Sequence, residues 1–193
     1  MKKALIALVL SAALFTQGCT FASAMAQLEK YAPVALQAIS SVVAILVQGG
    51  VIKTGQANTV TTDIGMATAA LTDVENAVAA YNAAPAASKN TELNKVIVAL
   101  QAAQTQLAQG VKDVGMNGNS NAALAAESGL QVIITTLAAI EVNLPQPTPA
   151  PATVQANAKK SKLKFGHPNL AGQFKVQFNS AVGKYGYGQY GLN

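Results

Sequence analysis

Residues 57–82 read ANTVTTDIGMATAALTDVENAVAAYN, and this stretch decides the fold. Within it Val60, Ile64, Ala67, Leu71, Val74, Val78 and Tyr81 recur at alternating spacings of four and three, with Thr, Asp, Glu and Asn between them. Such a period puts the apolar side chains on one face of a helix, whereas a half-buried strand would alternate every second residue. Ala84-Pro85 ends the run, because proline donates no amide hydrogen and disfavours helical geometry in the residue before it.

Working outward, the same spacing recurs on both sides. Upstream, Leu28, Ala32, Ala35, Ile39, Val42 and Leu46 form a stripe that stops at Gly49-Gly50. Downstream, Ser88 or Asn90 can cap a helix carrying Leu93, Val96, Ile97, Leu100, Ala103 and Leu107 on one face. A turn cluster over 115–120 leads to a fourth stripe, Ala126, Leu130, Ile133, Leu137, Ile140 and Leu144, closed by Pro145. Four periodic segments with short Gly, Pro and Asn links predict an all-α fold, an antiparallel four-helix bundle over 25–144. The segment 34–47 is apolar apart from Gln37, Ser40 and Ser41, so the first helix is expected to be the most buried or to touch lipid.

Composition agrees with a packed helical protein. The chain has 193 residues, 51% apolar and 11% charged, with one Cys and no Trp, which excludes a disordered polyelectrolyte and a disulfide scaffold. Its 38 alanines favour helices that approach closely, leaving stability to Leu, Ile and Val on the stripes. All 13 basic residues are Lys, so anions would be met by point charges and not by the guanidinium fork.

Charge divides the chain. Residues 25–144 hold five Lys against all eight acids, while residues 145–193 hold six Lys and no acid. Between them 145–152, PQPTPAPA, is expected to be an extended, semi-rigid linker. The segment 153–193 reads as a mostly irregular basic tail, with a short strand expected over 173–179 where Phe174, Val176 and Phe178 alternate with polar residues. Lys159, Lys160, Lys162, Lys164, Lys175 and Lys184 are the candidate contacts for an anionic partner, an envelope polymer or lipid. Phe165, Phe174, Phe178, Tyr185, Tyr187 and Tyr190 are the candidate aromatic contacts. A strand here could also pair with an edge of another copy, which makes self-association an expectation.

The N-terminus supplies an address. Lys2 and Lys3 precede the uncharged apolar run 4–15, ALIALVLSAALF, which is shorter than the roughly 20 residues that span a bilayer. The pattern is that of a bacterial export signal, and Thr16-Gln17-Gly18-Cys19 resembles the lipobox of bacterial lipoproteins, with Thr16 where that family has Leu. The resemblance implies lipidation of Cys19 after removal of 1–18 and membrane attachment, and Thr20 in place of Asp after the Cys implies sorting to the outer membrane. Ala22-Ser23-Ala24 offers a second cleavage site, which would remove 1–24 and release the protein to the periplasm or medium.

The catalytic inventory is short. His167, the single His, stands in a Gly-His-Pro turn, and there is no phosphate-cradling Gly loop, H-E-x-x-H or C-x-x-C. Asp63, Asp73, Glu75, Glu92, Asp113, Glu127 and Glu141 lie mostly between stripe positions and are expected to be solvated. The expectation is therefore a non-enzymatic, exported envelope protein with no cofactor or metal site and no nucleic-acid partner. Two other readings stand beside it: a membrane-active protein that inserts amphipathic helices, and an enzyme with an unrecognised carboxylate site.

Overall fold

The computed structural model describes residues 2–52, 57–116, 118–145, 150–161 and 169–193, with the side chains of 2–22, 57 and 58 outside that description. Among the described residues the fold is all-helical, and six helices pack on one another. They are α1 (Lys2–Gln48), α2 (Ala57–Ala83), α3 (Lys89–Gly115), α4 (Asn121–Glu141), α5 (Ala152–Lys160) and α6 (Leu170–Gly183).

The apolar run 4–15 and the first bundle helix form one continuous helix, α1. Pro33 sits inside it at an exposed position and donates no backbone hydrogen bond. Its end is a Schellman motif: the Val51 amide donates to the Leu46 carbonyl (3.0 Å), the Gly50 amide to the Val47 carbonyl (3.2 Å), and Gly50 takes φ +66°, which glycine adopts without penalty. Ser88 stands at the start of α3 without capping through its side chain; its hydroxyl donates to the Pro85 carbonyl instead. At the next helix Ser120 does cap, accepting from the Ala123 amide at 3.2 Å.

The four expected stripes lie in one hydrophobic core, with Ala32 buried outside it and Tyr81 half-buried at its edge. Among the described residues the most buried helix is α4, which corrects the expectation that the first would be the most buried. Fifteen of its 21 residues are buried, including Ala123, Ile134 and Thr136 off the stripe. Its neighbours explain this, since α1, α3, α5 and α6 all pack against it.

The C-terminal segment is the second correction. Residues 173–179 are helix, not strand: Leu170, Phe174, Phe178 and Val182, each four apart, are all buried, while Val176 between them is exposed. Over five residues the alternation fits both periods, and only the longer row of fours separates them. These side chains join the same core as α1 and α4, so the described part of 153–193 is not an irregular appendage. The Phe174 ring meets Tyr31 edge-on at 4.9 Å, and Phe178 packs over Gly129. The expected linker residues 146–149 lie outside the described residues.

The chain then folds back over α6. Asn179 uses both ends of its amide on Leu192, donating to its carbonyl at 3.0 Å and accepting from its amide at 2.6 Å, and Lys175 donates to the Asn193 carbonyl. The Gly-Tyr segment thus ends in a 3-10 turn (Gly188–Tyr190) packed against the bundle, and the strand that was to pair with another copy is absent from it.

Candidate functional site

Where α4 and α6 diverge they leave a groove of about 540 Å³. Ser128, Gln131 and Thr135 of α4 form one wall, Gln177 and Ser180 of α6 the other, and Val132, Val176 and Ala181 supply apolar surface. Two cations reach it from different elements: Lys160 from the last turn of α5 and Lys184 from the residue that ends α6. Lys184 Nζ lies 5.3 Å from the centre of the Tyr185 ring, which also lines the groove. No carboxylate is among the lining residues. The groove therefore offers two point charges, hydroxyl and amide donors, and an apolar patch, the set that suits an amphipathic anion.

The other expected contacts are dispersed. Lys159 is exposed in the last turn of α5, and Lys175 is engaged with Asn193. Lys162, Lys164, Phe165 and His167 lie outside the described residues. Phe174 and Phe178 are fully buried and serve the core, so neither presents a ring to a partner. Tyr187 and Tyr190 stack on each other with centroids 6.0 Å apart, both half-buried against the bundle. Cys19 lies in α1, among the residues whose side chains are not described.

Three acids expected at the surface are buried instead: Asp63, Asp113 and Glu141. Asp63 of α2 meets Asp113 of α3 across the helix pair, and Gln109 donates to both Asp113 oxygens at 3.1 Å. Burial pushes the Asp63 carboxyl up to about 6, helped by the hydrogen bond with Asp113 and by its charge. Asp113 is held below the usual range chiefly by that hydrogen bond, with burial opposing and Gln109 and Lys112 assisting. The second oxygen of Asp63 has no hydrogen-bond partner. Glu141 accepts from Gln101 at 2.8 Å and from Gln104, and its burial raises its pKa against those two bonds.

Sequence reasoning missed these acids because each stands one residue from a core position, next to Ile64, Val114 and Ile140. The available signal was amide spacing: Gln109 and Asp113 are four apart on one helix. Chemically, a carboxyl pair with separated pKa values is an acid-base arrangement. Here, however, neither member lines any of three surface grooves, of about 550, 540 and 500 Å³, formed by the described residues. Among the described residues no group of three or more His, Cys, Asp or Glu side chains could hold a metal ion.

Compared with known proteins, the chain matches no family model, no curated protein and no solved structure.

Proposed function

We propose that this chain is an exported, non-enzymatic cell-envelope protein, held at the outer membrane by lipid on Cys19, whose helical body presents a basic face to an anionic partner. The observation that carries this reading is the meeting of Lys160 and Lys184, from separate elements, at one groove with no acid in its lining. The absence of any Asp or Glu from 145–193 extends the same sign of charge around it.

The choice of Cys19 over the second cleavage site is supported by burial. Ala24 and Met25 belong to the core. A cut after Ala24 would leave a new charged amine on Met25, and an unpaired charge in such a place costs several kcal/mol. A cut before Cys19 leaves both residues inside an intact helix. Several acyl chains, at about 0.8 kcal/mol for each buried methylene, then suffice for stable attachment.

Mass spectrometry of the processed N-terminus tests the anchor: acylated Cys19 is expected, and a free Met25 would end it. For the basic face, retention on an anionic polysaccharide matrix at low salt is expected to fall in the Lys160→Gln/Lys184→Gln double variant. Equal retention would remove the groove from the function. Dye release from acidic liposomes by the folded protein would favour the membrane-active reading instead.

A further inference from the structure

We infer that the anionic partner of the α4–α6 groove is the phospholipid headgroup layer of a membrane, contacted peripherally by the exposed face of α6. The inference rests on the reading of this face as an anion contact and adds the identity of the partner.

Three observations favour lipid over an anionic glycan. Val176 stands beside the two lysines with 69% of its surface exposed, on a helix whose other large apolar residues are buried. A polysaccharide offers nothing to cover it, whereas the glycerol region beneath a headgroup does. Val176, Ser180 and Lys184 follow one another at intervals of four, so apolar contact, hydroxyl and cation are ranked along one line of α6, as on helices that lie in an interface. Finally, every cation of 145–193 is a lysine, and compact ammonium groups suit headgroups that diffuse laterally and present no fixed fork for a guanidinium to match. A groove of about 540 Å³ is large enough for one phosphorylated headgroup.

The orientation this requires is specific. Phe178 and Val42 meet at Gly129, and Phe174 meets Tyr31, so α6 packs on the part of α1 well beyond Cys19. At about 1.5 Å per residue an upright α1 would lift the groove some 30 Å above an anchor at Cys19. Both contacts reach one leaflet only when α1 lies along the surface.

The test uses the full chain with Cys19→Ser, which removes the only thiol, and Val176→Cys carrying a polarity-sensitive dye. Phosphatidylglycerol vesicles at low salt are expected to blue-shift the dye. Phosphatidylcholine vesicles are expected to leave it unchanged, as is about 0.5 M NaCl with either lipid. A dye at Val98, exposed on α3, should not respond. Lys160→Gln and Lys184→Gln should each weaken the response about five-fold and together about 25-fold, from the usual contribution of a lysine near an acidic surface. Three results overturn the proposal: no shift at position 176 with phosphatidylglycerol, an equal shift with phosphatidylcholine, or a shift with inorganic phosphate alone but none with vesicles. A shift with an anionic polysaccharide and none with vesicles refutes the lipid while leaving the anionic contact standing. Silence toward every anion refutes both.

Discussion

At the scale of single residues, Gly129 is a point where three helices, α1, α4 and α6, meet. A Cβ there would lie 2.9 Å from the Phe178 ring and 3.1 Å from a Val42 methyl, and the ring is held by the core around it. Gly129→Val is therefore expected to cost about 1–3 kcal/mol by overpacking, read as a drop of several degrees in the melting temperature. Phe178→Ala, at the other side of the same contact, is expected to cost about 3–5 kcal/mol. The acids predict a pH response with two limbs. Asp63 is raised from 3.8 to about 6, so its contribution is full below pH 3.8 and declines as pH rises through about 6. Asp113 is lowered, so its contribution is present above pH 3.8 and is lost as pH falls through its folded value. Stability measured by urea unfolding should peak near pH 4 and decline from there to about pH 6, the folded value of Asp63. Asp63→Asn, which keeps the shape and removes the proton equilibrium, should flatten the decline between about pH 4 and 6. An unchanged decline in that variant would place the titration elsewhere.

At the scale of elements, the stripes of α1 to α4 are what the fold is made of. Leu71 and Ile133 are both fully buried, and Leu71→Asp or Ile133→Asp puts an unpaired carboxylate among Leu, Ile and Val. Each is expected to abolish the cooperative melt in circular dichroism, and a melt unchanged by both would refute the packing. These four helices were legible because each repeats its spacing over six or seven positions, far past the length at which helix and strand periods coincide. The sixth helix was not, because its aromatic pair was read with Val176, which in the structure faces out. Leu170 and Val182 lay outside the five-residue window and carried the deciding information. The candidate groove was half legible. The lysines and the lack of acids stood in the sequence, but their meeting depends on how α5 and α6 return over α4, and no local pattern encodes that. The buried acids were illegible for a related reason: position beside a stripe leaves burial to the neighbouring helix.

At the scale of the whole molecule, body and tail share one interior. Deleting 165–193 would uncover the faces of α1 and α4 now covered by Leu170, Phe174, Phe178, Val182 and Leu192. That truncation is expected to aggregate or to melt at least 10 °C lower, on the order of the loss of several buried side chains. Size-exclusion chromatography and a thermal melt would show it, and a monodisperse, equally stable fragment would mean that the C-terminal helix is dispensable. The same closure bears on timing. Tyr31, deep in the first helix, packs its ring against that of Phe174 near the far end of the chain. A ribosome or a translocation channel would thus handle a polypeptide whose apolar seam stays unzipped until its final stretch emerges, and native contacts so distant in sequence slow folding. On the export we propose, lateness of this kind would keep the chain threadable, and the element that completes the interior would also set the moment by which passage through a narrow pore is over.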